Sequence, residues 1–282
     1  MTSRAPAWPR IAFVLPGGGS AGAVQVGILR SLLEAGVYPD VLVGCSVGAL
    51  NAACLALRPT LDQVARMEEM WAGVGTGDVF GSGWHRAALR LVARRDHLCS
   101  PAPLRTLIRS ACPVRDLSDL AVPLHVATTD LDHGVARWWT TGPAEDILYA
   151  SACLPGLFPP AILDGVRHVD GGVLEPVPVM RAVDLDAARV YVIGEAADPH
   201  DQPAVARSAL EVLLRSFAIS RYGRLPHSAS LARPGQEVIE VPGASTAGIP
   251  ITDFSSTGWL MAESRATSRA FIRQYRLGAS TR

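Results

Sequence analysis

The sequence predicts an α/β fold built on a mainly parallel sheet, and three observations near its start predict it. Residues 11–15 (IAFVL) are a short apolar run, the pattern of a buried strand. Residues 23–35 carry Val24, Ile28, Leu29, Leu32 and Leu33 at helical spacing, closed by Gly36. Residues 41–43 (VLV) repeat the strand pattern, and 47–57 (VGALNAACLAL) read as a small-residue helix buried against a sheet. Strand, helix, strand and helix in such close succession make a right-handed β-α-β unit.

Later segments extend this sheet. The runs 122–127 (VPLHVA) and 190–193 (VYVI) supply further strands. Residues 161–169 (AILDGVRHV) read as a hairpin with Asp164-Gly165 as its tight turn. The Gly-rich stretch 72–83 and the Ala, Asp and Pro-rich stretch 196–206 read as loops, and neither demands a domain boundary. One domain over 8–276 is expected, with flexible termini at 1–7 and 277–282. The 282 residues, 49% of them hydrophobic, can bury a substantial core.

Composition narrows the function. The 26 basic residues, all Arg, balance 26 acidic ones, which argues against a general nucleic-acid binder. Cysteines 45, 54, 99, 112 and 153 show no C-x-x-C spacing, so neither a metal site nor any cofactor is expected. Reduced cysteines, no signal-peptide core and no apolar run of membrane-spanning length together point to the cytoplasm. Residues 84–98 place Arg86, Arg90 and Arg94 four apart, as in a helix that meets an anionic membrane surface. An ordinary surface helix packed on the core gives the same pattern and is the favoured reading. Oligomeric state is not legible.

Two glycine signals compete. Gly17-Gly18-Gly19-Ser20-Ala21-Gly22 spells G-x-G-x-x-G, and Gly44-Cys45-Ser46-Val47-Gly48 spells G-x-S-x-G. Dinucleotide binding requires an acidic residue at the C-terminal end of the second strand. Asp40 has the spacing but precedes that strand, so this reading fails. A serine nucleophile requires a sharp turn from strand to helix, with glycines where the turn is crowded. VLV before Ser46 and the small-residue helix after it meet that requirement, with Gly44 and Gly48 forming the elbow. The first loop then has a role, since backbone amides of Gly17, Gly18 and Gly19 can converge on an oxyanion.

The base is less legible. A triad of Ser46, Asp130 and His168 is conceivable by chain order, but only one β-α unit precedes Ser46 and no histidine lies in a distinctive motif. A dyad could use Asp170, which two glycines follow, yet Asp164-Gly165 looks the same locally.

Four motifs in order resolve the choice by resemblance: the glycine loop, the serine elbow, ASACLPGLFPP at 150–160 and VDGGVLEPVPV at 169–179. With ATTDLDHG at 127–134, and a weaker echo in FSSTGWLMAES at 254–264, the chain resembles the patatin-like phospholipases. That resemblance implies a three-layer α/β/α sandwich and a hydrolase acting on acyl lipids; transient contact with a membrane surface rests on the 84–98 stretch alone. It implies Ser46 as nucleophile, Asp170 as base and the Gly17–Gly19 amides as oxyanion hole. Two features depart from the family pattern: Ala21 stands where Arg or Lys usually precedes the last glycine, and Glu175-Pro176 follows the DGG motif. A non-enzymatic lipid binder on the same fold is the alternative. Leu154, Leu157 and Phe158 are candidates to line an acyl pocket.

Overall fold

The alternation along β1 (Ile11–Leu15) sorts its side chains between two cores. Phe13 and Leu15 enter one, and Ala12 and Val14 the other. In the computed structural model, residues 10–81, 96–194 and 228–279 are described, with Val212, Ser216 and Ile219 between them. The expected loop at 196–206 lies outside these residues, as does most of the basic stretch at 84–98.

The expected β-α-β unit is present. After β1 come α1 (Gly22–Glu34), β2 (Val41–Cys45) and α2 (Val47–Leu57). β1 pairs in parallel with β2 on one side and with β7 (Arg189–Ile193) on the other, and β8 (Glu237–Val241) continues the sheet beyond β7. The far edge of β2 takes β3 (Leu124–Asp130), also parallel. β4 (Val135–Trp139) and the hairpin of β5 (Ala161–Leu163) and β6 (Val166–Asp170) add antiparallel pairings on β3. Asp164 and Gly165 both adopt positive φ, 51° and 78°, as a tight two-residue turn requires.

Helices cover both faces. α1, α2, α3 (Leu61–Gly73), α5 (Ala102–Ala111), α6 (Ala144–Ala152) and α8 (Thr257–Ala279) contribute to the core on the Phe13 side. α7 (Val179–Asp184) packs Val179, Ala182 and Val183 against Val14, Val43 and Val190 on the other. The result is the three-layer α/β/α sandwich.

The described residues 72–81 of the expected loop at 72–83 depart from it. α3 runs to Gly73, and α4 (Thr76–Phe80) follows. Asp78 caps α4 by accepting from the Gly75 amide at 2.8 Å, and Phe80 is buried, stacked 5.7 Å from Phe158. Capping and tertiary burial outweigh the glycine-rich composition here.

Candidate active site

The chain must pass from β2 into α2 within one residue. Ser46 makes that turn at φ 54° and ψ −130°, a strained conformation for a residue with a side chain. The turn is crowded on both sides. A Cβ on Gly44 would lie 2.6 Å from Ala49 Cα, and one on Gly48 would lie 2.1 Å from the Leu15 carbonyl oxygen. The Ser46 amide donates to Ser151 Oγ at 2.9 Å, which holds the turn from α6.

Strand register brings Asp170 to this turn. β3 pairs with β4 along one edge, so β2 and β6 must share the other in succession. Cys45 is opposite Ala127, and Asp170 is opposite the next residue, Thr128. The end of β6 therefore meets the end of β2, and Ser46 Oγ donates to Asp170 Oδ2 at 2.6 Å. The carboxylate is fully buried. Its Oδ1 accepts from the Gly172 amide at 2.7 Å, and Thr129 Oγ1 donates to its backbone carbonyl at 3.0 Å. Both contacts fix the carboxylate's aim.

The glycine loop closes the third side. Gly17 donates its amide to the Pro176 carbonyl at 3.2 Å, just past the DGG segment. The Ser20 amide and Oγ donate to the Ile251 and Pro250 carbonyls at 2.9 and 3.0 Å. Gly18 and Gly19 line, with Ser46, a cavity whose walls are almost wholly apolar. Val47, Leu50, Met70, Trp71, Leu107, Ile108 and Phe254 are among its wall residues. Leu154 and Phe158 also line it, whereas Leu157 turns into the core.

The triad candidates lie elsewhere. His168 is buried, with Nδ1 3.0 Å from Thr128 Oγ1 and its ring edge-on to Trp139. Asp130 holds the β3–β4 turn: burial disfavours its charge, but the His133 amide, the His133 ring and Arg137 prevail and hold its carboxyl down at about 2. No described histidine bonds to Ser46 or Asp170. Asp40 accepts from the Arg10 and Ile11 amides at 2.9 Å each, at the start of β1 and the wrong sheet end for a ribose.

Several residues at the site were not singled out from sequence. Ser151 sits inside the ASACLPGLFPP motif, so a signal for it existed. Phe254 opens the FSSTGWLMAES echo, so a signal for it existed as well, whereas Ile251 comes from a loop far along the chain and carries none. Among the described residues no cluster of His, Cys, Asp or Glu could hold a metal ion, and no helix is long and apolar enough to cross a membrane.

Fold and site together define an α/β protein with a serine–carboxylate pair on a strand-to-helix turn, facing an apolar cavity. The sequence profile of the patatin-like phospholipase family matches residues 13–183, more than half of the chain. The chain belongs to that family. It is 32% identical over 185 residues to patatin-like phospholipase domain-containing protein 7 of Rattus norvegicus, covering 65% of this chain and 13% of that protein. It is 29% identical over 219 residues to an uncharacterized NTE family protein of Mycobacterium tuberculosis, covering 74% of this chain and 56% of that one. Lysophospholipase nte1 of Aspergillus terreus is 27% identical over 190 residues, covering 67% and 12%. The chain thus spans about an eighth of the rat and fungal relatives. VipD from Legionella pneumophila, at 13% identity, superposes with a TM-score of 0.49 over 95% of this chain and 67% of its own.

Proposed function

We propose that the protein is a serine lipid acyl hydrolase that cleaves carboxylic esters of phospholipids or lysophospholipids. The observation that carries this reading is the 2.6 Å hydrogen bond from Ser46 Oγ to Asp170 Oδ2, with Ser46 lining an apolar cavity. Ser46 Oγ attacks the ester carbonyl carbon while its proton passes to Asp170. The carbonyl oxygen becomes an oxyanion held by the Gly18 and Gly19 amides; the Gly17 amide, engaged by Pro176, anchors the loop. Collapse breaks the bond to the leaving alcohol, which takes the proton from Asp170. Water, deprotonated by the same carboxylate, then attacks the acyl–Ser46 ester and releases the fatty acid.

A carboxylate is a weak base for a hydroxyl at its ordinary pKa of about 3.9. The dyad works because the oxyanion donors, together with the N-terminal end of α2 beside Ser46, stabilise the charge that proton removal leaves on the substrate. The cavity beside Ser46 takes the acyl chain, which excludes water and sets the carbonyl against the loop. The family membership and the name of the fungal relative favour a lipid over a soluble ester.

The test is hydrolysis of a panel of phospholipids, lysophospholipids and nitrophenyl esters by the wild type and by Ser46→Ala. Release of fatty acid by the wild type and none by a folded Ser46→Ala is expected. An inert wild type that still binds lipid would replace the enzyme with a lipid-binding protein.

A further inference from the structure

One buried chain of side chains links the cavity wall to both ends of the glycine loop. Trp71 Nε1 donates to Asn51 Oδ1 at 2.9 Å. Asn51 Nδ2 donates to Gln25 Oε1 and to the Gly22 carbonyl, each at 2.9 Å. Gln25 Nε2 donates to the Pro16 carbonyl at 2.7 Å. All three side chains are buried, and Trp71 and Asn51 also face the cavity.

The direction of this chain is forced. An indole nitrogen only donates, so Asn51 must present its oxygen to Trp71 and its NH2 to Gln25. Gln25 must then turn its own NH2 toward Pro16. Neither amide can flip without leaving two buried donors face to face, or an acceptor against an acceptor. The two carbonyls that end the chain, at Pro16 and Gly22, bracket Gly17–Ala21. The Trp71 ring reinforces the bracket: a methyl on Gly22 would lie 2.7 Å from Trp71 Cζ2 and 2.5 Å from Val47 Cγ2, the residue after the nucleophile. Phe254 stacks on Trp71, with ring centroids 6.1 Å apart.

We propose that Gln25 and Asn51 are positioning residues for the oxyanion hole, with Trp71 setting the polarity of their amides. They hold the Gly18 and Gly19 donors at fixed distance from Ser46 by clamping both ends of the loop to α2. This proposal rests on the hydrolase reading above. It assigns a task to three buried groups that touch neither the carbonyl carbon nor the oxyanion.

The experiment compares the wild type with Trp71→Phe, Gln25→Leu, the double variant and Gln25→Glu on nitrophenyl acetate and nitrophenyl dodecanoate. Trp71→Phe keeps an aromatic ring but removes the indole N–H together with part of the bicycle, so it serves if Gln25→Leu fails to fold, and the unchanged-kcat, raised-KM outcome below detects any effect of the lost wall alone. Each single variant is expected to lower kcat by about tenfold to a hundredfold on both esters, with KM within about twofold, as loss of donor alignment does. The double variant should lose less than the product of the single losses, because both break one chain. Gln25→Glu can rebuild the chain only when protonated, so its kcat relative to wild type should rise as pH falls. Unchanged kcat with a raised KM for dodecanoate alone would make Trp71 a pocket wall and nothing more. Fully independent losses, or a flat pH ratio for Gln25→Glu, would equally overturn the clamp. A wild type without Ser46-dependent hydrolysis would instead be the failure of the hydrolase reading, and the clamp would fall with it.

Discussion

Ser46 Oγ donates to Asp170 Oδ2 at 2.6 Å across 124 residues of sequence. The contact exists because β2 and β6 abut along one edge of β3, so the ends of both strands arrive at the same point. A rigid sheet edge, rather than a mobile loop, sets the distance.

Asp170→Asn keeps the size and the acceptor for Gly172 but loses the basic oxygen. Turnover is expected to fall by about a thousandfold or more. His168→Ala removes a buried ring that packs on Trp139 and Thr128, so it should cost stability and far less turnover. Asp164→Asn, at the hairpin turn, is the control. Steady-state kinetics on folded variants decides: activity that survives in Asp170→Asn and dies in His168→Ala would replace the dyad by a triad.

Ser151→Ala removes the acceptor that holds the strained Ser46 amide. Leaving that donor unmet should destabilise the fold by about 1–3 kcal/mol. Turnover should fall with it, because the elbow is free to relax. Thermal melting and kcat measured together check this; wild-type values for both would mean the hydrogen bond holds nothing.

The two glycines proposed as oxyanion donors should respond unequally. A Cβ on Gly19 would lie 2.4 Å from the Ile251 carbonyl oxygen at a φ of 59°, whereas one on Gly18 meets only Ala21 Cβ, at 3.2 Å. Gly19→Ala is therefore expected to lose at least about a hundredfold in kcat, the usual cost of a displaced oxyanion donor, and Gly18→Ala less. The reverse order, read in kcat on one ester, would place the critical amide at Gly18.

Stability should fall as the solution becomes mildly acidic. Burial, aided by the Arg181 charge, lowers His125 from 6.5 to about 4. Above pH 6.5 the ring is neutral both folded and unfolded, so it contributes no pH dependence. Between 6.5 and about 4 the unfolded chain takes up a proton that the folded chain refuses, and stability is lost as pH drops. His168, also lowered by burial, acts in the same sense. His125→Gln should flatten this limb of a denaturation-midpoint profile. It should leave the loss at lower pH, where Asp130 protonates through its folded value of about 2. An unchanged slope in His125→Gln would contradict the assignment.

Local patterns made much of this molecule legible. The unit from β1 to α2 follows from short apolar runs and a 3.6-residue period, and the Ser46 elbow from its two glycines. The β5–β6 hairpin follows from Asp164-Gly165. What stayed hidden depends on contacts between distant segments. The two Asp-Gly pairs are alike locally; the motif resemblance picks out Asp170, and the pairing of Thr128 with Asp170 is what carries it to Ser46. Gly17, Gly18 and Gly19 read as one set until the Pro176 carbonyl engages the first amide. α4 lies in a glycine-rich stretch, and burial of Phe80 against Phe158 supports its helix. Ile251 and Phe254 reach the cavity from a segment beyond the family match, where only the weak FSSTGWLMAES echo touches Phe254 and nothing announces Ile251.

The most direct measurement is covalent labelling of the folded protein with a long-chain alkyl fluorophosphonate, read by intact mass and then by peptide mapping. Attack by Ser46 Oγ displaces fluoride and leaves a stable phosphonyl ester. The account predicts one adduct, located at Ser46, absent in Ser46→Ala and formed far more slowly in Asp170→Asn. No adduct on the wild type, an adduct retained by Ser46→Ala, or equal rates for the wild type and Asp170→Asn would contradict it.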